Sequence, residues 1–127
     1  MLKERIAAKE EINVAIASFV MSDDKIKVAV TKESYDLVFL DGQHSAFNEE
    51  ALPVFCAKAN ALGVPVLFRI KHTELAFLTG NYLDLGPLAI VIPQVEDPKS
   101  VQQAIDNFYY PPIGKRGWGP TYAYGKE

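Results

Sequence analysis

One octapeptide sets the pattern for the rest of this sequence: Leu37-Val38-Phe39-Leu40-Asp41-Gly42-Gln43-His44. Four consecutive apolar residues are typical of a strand buried on both faces, as strands of parallel sheets are. An acid and a histidine follow where such a strand must end. In a β/α barrel the C-terminal strand ends carry the chemistry, because the loops there converge on one face. The octapeptide therefore predicts a barrel strand that delivers a catalytic pair, Asp41 and His44.

Strand-like and helix-like segments alternate on both sides of this octapeptide. Three further apolar segments read as strands, at residues 12–20, 65–70 and 88–95. Helical patterns cover residues 2–10, the segment from Ser22 onward, 48–62, 73–85 and 97–108. Strict alternation implies parallel strands joined by right-handed crossovers. A doubly wound open sheet shows the same alternation, but no Gly-x-Gly-x-x-Gly follows any strand, which disfavours a dinucleotide site.

Helix ends and buried helix faces can also be predicted. Thr73 and Glu74 are expected to cap the fourth helix, and Asp97 the fifth, with Pro98 in its first position. Pro53 suggests that the helix over 48–62 begins a turn later. Apolar residues at helical spacing mark two buried faces: Leu52, Phe55, Cys56, Ala59 and Leu62 on the third helix, and Val101, Ala104, Ile105 and Phe108 on the fifth.

Length and composition limit the class of protein. The 127 residues suffice for one domain and not for two, so we expect 1–127 to lie within a single domain. A net charge of −3 argues against nucleic acid as a partner. No apolar run approaches the ~20 residues that span a bilayer, and no secretory signal is evident. The single cysteine fits a reducing compartment, so a cytoplasmic protein is expected.

Asp41 and His44 are the first candidates for chemistry. They are three residues apart on a strand-end turn, close enough for the carboxylate to orient and polarise the imidazole. Histidine titrates near neutral pH and is the usual general base. The spacing alone favours a histidine that is satisfied beside a turn aspartate, because a lone Asp-x-x-His is a weak signal of function.

Arg69 and Gln94 end two other predicted strands. A guanidinium after the apolar Val66-Leu67-Phe68 needs a partner, and a substrate carboxylate suits its bidentate fork. A structural ion pair inside the barrel mouth is the alternative. Gln94 can add a hydrogen bond to a substrate, but a solvated amide is favoured. His72 can be a ligand, but a histidine in a surface loop is favoured.

Two other features have simpler explanations. Cys56 lies in the apolar stripe of a helix and is expected in the core. Gly114-Lys115-Arg116-Gly117 suggests a phosphate loop, but it lacks the Gly-x-x-x-x-Gly-Lys-Ser/Thr pattern and does not follow a strand.

Four segments, taken in order, resemble the HpcH/HpaI aldolase family, the metal-dependent class II pyruvate aldolases of the phosphoenolpyruvate/pyruvate barrel superfamily. These segments are residues 35–44, 64–69, 83–96 and 110–117. The resemblance implies a β/α barrel of the TIM type and a retro-aldol cleavage of a 4-hydroxy-2-oxo acid to pyruvate and an aldehyde. It also implies His44 as the acid/base, Asp41 as its orienting partner, and Arg69 as the group that binds the 2-oxo acid. Many family members carry glutamate where this chain has Gln43.

The resemblance covers the N-terminal half of such a barrel. A complete barrel takes about 250 residues, and this chain supplies about four of eight β/α units. The family's divalent Mg or Mn ion is held by acids on later strands, so we assign no metal ligand here. Two open strand edges and an uncovered apolar face predict a poorly soluble chain or a homo-oligomer. The alternatives are a relative of the citrate- and malyl-CoA lyases, and a non-catalytic half-barrel that acts as an assembly module.

Overall fold

The computed structural model describes residues 2–32 and 35–119, and for residues 29, 30 and 32 it describes the backbone alone. The strands are β1 (Val14–Ala17), β2 (Leu37–Asp41), β3 (Val66–Arg69) and β4 (Ala89–Val91). The helices are α1 (Leu2–Ala7), α2 (Asp23–Lys32), α3 (Ala51–Ala61), α4 (Thr79–Asp84) and α5 (Pro98–Phe108), with a 3₁₀ helix at Thr73–Leu78. The predicted alternation of strands and helices is confirmed.

The four strands form one parallel sheet in the order β1-β2-β3-β4. Spatial order therefore follows sequence order throughout. A doubly wound sheet reverses its order at a switch point, whereas the strands of a β/α barrel follow one another around the ring. The sheet is thus four consecutive strands of barrel type, as the sequence predicts.

The sheet has one covered face and one uncovered face. On the covered face, Val38, Leu40, Val66 and Phe68 are fully buried. They join a core with buried residues of the helices: Ile26, Leu52, Phe55, Cys56, Ala59 and Tyr82. Side chains alternate along a strand, so the residues between them point the other way. We call that second side, which carries Ile16, Phe39, Leu67 and Ala89, the inner face.

Helix α3 shows how the sequence sets its ends. It begins at Ala51, and Pro53 lies within its first turn, where a missing N–H costs no helical hydrogen bond. The predicted later start is confirmed, because the helix begins about one turn after Asn48. Gly63 follows with φ +77°, a conformation that glycine adopts without strain. Leu62, expected on the buried face, is 38% exposed because the helix has already ended.

The fourth helical segment differs from the prediction. It starts as the 3₁₀ helix Thr73–Leu78 before α4, and its N-cap is His72 instead of Thr73 or Glu74. The Glu74 amide donates to His72 Nδ1 over 3.2 Å. Histidine is an uncommon cap, and so the sequence rules favoured the threonine.

Helix α5 confirms one prediction and contradicts another. Asp97 caps it, since the Ser100 amide donates to Asp97 Oδ1 over 2.9 Å, and Pro98 stands in the first turn. Its apolar face is not buried, however: Val101, Ile105 and Phe108 are 45%, 41% and 37% exposed. The helix packs mainly against the 3₁₀ helix and α4. No described strand follows β4 to cover the remaining part of its stripe.

The outer strands are shorter than predicted. The segment at 12–20 forms β1 only over Val14–Ala17, and the segment at 88–95 forms β4 only over Ala89–Val91. Among the described residues, each of these strands has only one paired neighbour. Helix α1 likewise ends at Ala7, before the predicted residue 10.

Candidate active site at the strand ends

Asp41 and Arg69 form the centre of the site. They occupy matching positions at the ends of the neighbouring strands β2 and β3, on the inner face. Arg69 Nε donates to Asp41 Oδ1 over 2.9 Å, and Nη2 donates to Oδ2. This bidentate geometry is the strong form of an ion pair. The structural ion pair considered as the alternative for Arg69 is therefore present at the barrel mouth.

The pair fixes the charge of Asp41. The hydrogen bond from Arg69 is the main reason that the pKa of Asp41 falls to about 2, against the opposing effect of burial. Backbone amides of Gln43 and His44 donate to Asp41 Oδ1 over 2.8 and 3.3 Å and act in the same direction. The same contact raises the pKa of Arg69. Both groups are charged at neutral pH.

His44 is exposed at the start of the loop after β2. Its contact with Asp41 runs through its backbone amide, and among the described residues no hydrogen bond joins the Asp41 carboxylate to the imidazole. Arg69 and two amides already occupy that carboxylate. Asp41 thus positions His44 by holding the turn, and the imidazole faces solvent.

Gly42 lets β2 and β3 approach each other at the site. Its amide donates to the Arg69 carbonyl oxygen over 2.9 Å. A Cβ at this position would lie 2.7 Å from that oxygen and 2.8 Å from the Phe68 ring. No side chain fits there. The sequence near Gly42 does not reveal this constraint, because the close approach involves Arg69 and Phe68 on a strand that is distant in the sequence.

Gln43 and Gln94 meet above β3. Gln43 Nε2 donates to Gln94 Oε1 over 3.2 Å, which joins the loops that follow β2 and β4. Gln94 has φ +48°, in the left-handed region that few non-glycine residues adopt. The structure therefore brings Gln94 to the same strand-end cluster as Asp41 and Arg69. No local pattern in the sequence predicts the contact between the two amides.

The other candidates lie away from this cluster. Cys56 is buried in the core, and burial raises the pKa of its thiol to about 12. Lys115 pairs with Asp106 over 2.8 Å. Arg116 pairs with Asp84, and its guanidinium lies 4.8 Å from the centre of the Tyr110 ring. Because both cations bind acids of the same chain, Gly114-Lys115-Arg116-Gly117 is a docked loop and not a phosphate site.

The described residues do not fit a metal centre. Within residues 2–32 and 35–119, no three or more His, Cys, Asp or Glu side chains come together as a metal would require. Both oxygens of Asp41 accept hydrogen bonds from Arg69.

Within residues 2–32 and 35–119, no helix has the length and apolar character to cross a membrane.

Replacing Gly42 with alanine is expected to lower the free energy of unfolding by about 1–3 kcal/mol, the usual cost of overpacking. The new methyl group would push against the Arg69 carbonyl oxygen and the Phe68 ring. Urea unfolding followed by circular dichroism measures the loss. Gly117→Ala is the control, because among residues 2–32 and 35–119 no heavy atom beyond its chain neighbours lies within 4 Å of the added Cβ. Equal effects of the two substitutions would contradict the close approach.

The Asp41–Arg69 pair predicts a specific dependence of stability on pH. The pKa of Asp41 is about 2 in the folded chain, below its unfolded value, so its stabilising effect is complete above about pH 4. That stabilisation is lost as the pH falls towards 2. Melting temperatures of wild type and Asp41→Asn should therefore differ at pH 5 and converge near pH 2. A difference that stays constant down to pH 2 would contradict the ion pair.

Fold and site together define the class of protein: consecutive β/α units of a parallel barrel, with polar side chains gathered at the C-terminal strand ends. No protein-family model matches the chain. The 2-keto-3-deoxy-L-rhamnonate aldolase of Salmonella paratyphi B is 30% identical over 98 residues, which cover 76% of this chain and 36% of the relative.

Solved structures give the same result at the level of the fold. The HpcH/HpaI aldolase from Desulfitobacterium hafniense superposes with a TM-score of 0.81 at 24% identity, over 97% of this chain and 47% of its own. Citrate synthase SbnG superposes with a TM-score of 0.79 at 25% identity, over 94% of this chain and 47% of its own. The predicted relation to the HpcH/HpaI aldolase family is confirmed. The chain spans about half the length of these barrels and a little over a third of the curated relative.

Proposed function

We propose that this chain contributes the acid/base and the carboxylate-binding residues of a carbon–carbon lyase. The complete enzyme would cleave a 4-hydroxy-2-oxo acid to pyruvate and an aldehyde. The observation that carries the proposal is the cluster of Arg69, Asp41 and His44 at two neighbouring strand ends on the inner face. The name of the Salmonella relative supports the substrate class, since a 2-keto-3-deoxy acid with a 4-hydroxyl group is a substrate of this kind.

Arg69 is the proposed binding group for the 2-oxo acid. Its Nε and Nη2 hold Asp41, while no described residue hydrogen-bonds to Nη1. The Phe39 ring lies 5.5 Å from the guanidinium carbon and supports it from the sheet. A substrate carboxylate can bind the unoccupied end of the guanidinium, and the adjoining keto oxygen lies next to the same positive charge. Gln94 is the proposed further hydrogen-bonding group, held in place by Gln43.

His44 is the proposed acid/base. In the cleavage step its imidazole takes the proton of the 4-hydroxyl group, the C3–C4 bond breaks, and the new carbonyl leaves as the aldehyde. The bonding electrons pass to the pyruvate enolate, which is then protonated at C3. The exposed imidazole is free to approach a substrate at the mouth, and its backbone is fixed by Asp41. A positioned acid/base contributes roughly 10²–10⁴-fold to the rate.

The family resemblance implies a divalent Mg or Mn ion, which supplies Lewis-acid stabilisation of the enolate when it is bound. The described residues do not provide its ligands. We therefore expect negligible turnover by the 127-residue chain alone.

The cytoplasm remains the predicted compartment.

A second candidate reaction is a condensation or cleavage of the citrate type. Citrate synthase SbnG is similar in fold over 94% of this chain. In such a reaction Arg69 would again bind a substrate carboxylate, and the electrophile would differ. A relative of the CoA lyases would in addition need a CoA pocket. A non-catalytic half-barrel would not need the side chains of Asp41, His44 and Arg69.

Binding of pyruvate tests the proposed role of Arg69. In ¹H–¹⁵N NMR titrations we expect pyruvate to shift the amide signals of residues 41–44 and 69–72. Arg69→Met should abolish these shifts. Lys71→Met is the matched control, because it removes a neighbouring exposed cation without touching the pair. Shifts that survive in Arg69→Met, or that vanish equally in Lys71→Met, would show that Arg69 is not the binding group.

A further inference from the structure

The inner face is an apolar surface that the described chain leaves uncovered. Ile16 is 78% exposed and Val14 is 37% exposed, both on β1. Phe39 and Leu67 beside them are half-buried. Apolar side chains in register across a whole sheet face are rare on the surface of a monomer and indicate an interface.

Both edges of the sheet are also open. Among the described residues, β1 pairs only with β2, and β4 pairs only with β3. The β1 sequence Val14-Ala15-Ile16-Ala17 contains neither a charge nor a proline. Natural sheets protect exposed edges with such residues, so an unprotected apolar edge is suited to pairing with another strand.

Helix α5 gives independent evidence for where that strand lies. In a right-handed β/α connection, the helix that follows a strand packs across the next strand of the sheet. Helix α5 follows β4, and its apolar residues Val101, Ile105 and Phe108 remain 37–45% exposed. A strand paired with the open edge of β4 would lie beneath this stripe and bury it.

We propose that two copies of this chain associate through the inner face, with β4 of each copy pairing in parallel with β1 of the other. Each contact between β4 and β1 repeats the parallel relation already present between neighbouring strands within one copy. Four strands are half of an eight-stranded ring, so the head-to-tail contact closes after two copies. The result is a barrel with no open edge.

Curvature and charge both favour a second copy as the occupant. The strands already superpose on about half of an aldolase barrel with a TM-score of 0.81, so no change of shape is needed. The only charged side chains on the described strands of the inner face are Asp41 and Arg69, which neutralise each other within one chain. Two such faces can therefore meet without burying an unpaired charge, which would be costly.

Sedimentation equilibrium of the 127-residue chain tests the proposal. We expect twice the 14.1 kDa mass of one chain. Ile16→Lys should raise the dissociation constant of the dimer at least about tenfold, because it places two ammonium groups in the apolar interior. Ile105→Lys on α5 should weaken the dimer as well. Val28→Lys, a 52% exposed position on α2, is the matched control and should leave the mass unchanged.

Circular dichroism should show the same secondary structure in all three variants, since each side chain is at least 41% exposed in one copy. A monomeric wild type would overturn the proposal and leave the face to further sequence of a longer polypeptide. A dimer that resists Ile16→Lys but not Val28→Lys would place the interface elsewhere. Open-ended polymers would contradict closure by two copies. The closed dimer still lacks a described metal site, so its formation is independent of the proposed lyase activity.

Discussion

Replacing Phe68 with alanine is expected to lower the free energy of unfolding by about 3–5 kcal/mol, the range for a buried phenylalanine. Phe68 is fully buried on β3. Its ring centre lies 4.9 Å from that of Phe47, 5.5 Å from that of Tyr82 and 6.1 Å from that of Phe19. Alanine would leave a cavity where the loop after β1, the loop after β2 and α4 meet the sheet.

Urea unfolding measures this effect, and Phe77→Ala provides the matched control. Phe77 lies on the 3₁₀ helix and is 47% exposed, so its loss should cost much less. Since small domains are stable by only about 5–15 kcal/mol, Phe68→Ala should come close to unfolding the chain. Similar losses for the two variants would show that the aromatic cluster around Phe68 does not hold the sheet to its helices.

Replacing His44 with alanine is expected to slow pyruvate release by roughly 10²–10⁴-fold in a protein that contains both halves of the barrel. The fold should not change, because the structural contact of His44 uses its backbone amide, which alanine retains. The loss should therefore appear in kcat without a change in unfolding temperature.

His72→Ala is the control for this prediction. His72 is the other histidine of the chain, lies in the loop after β3, and caps the 3₁₀ helix through Nδ1. Its removal should lower stability slightly and leave kcat unchanged. An equal loss of activity in both variants, or an unchanged rate in His44→Ala, would show that His44 is not the acid/base.

Much of the fold follows from local patterns. The apolar run before Asp41 predicts β2, and the strand-helix alternation predicts a parallel sheet in sequence order. The cap at Asp97 was correctly predicted because it depends on neighbours within three residues. The strand-end positions of Asp41 and Arg69 follow in the same way, since parallel strands bring their carboxyl ends to one edge.

The remaining features depend on contacts between distant segments. The exposed stripe on α5 results from the lack of a described strand beyond β4, which the helix pattern itself does not encode. The predicted contact between Asp41 and the His44 imidazole is replaced by a backbone contact, because Arg69 occupies the carboxylate. The bridge between Gln43 and Gln94 requires two loops to fold over β3. None of these has a signature in the local sequence.

The central claim is that this chain forms the part of a lyase site that binds the 2-oxo acid and carries the acid/base. The most direct measurement is pyruvate release from a 4-hydroxy-2-oxo acid, coupled to lactate dehydrogenase. The 127-residue chain would be compared with the same chain extended by a homologous second half, each with and without Mn²⁺. We expect activity only in the extended, metal-loaded protein. Robust release by the short chain, or none by a properly folded extended protein, would contradict the claim.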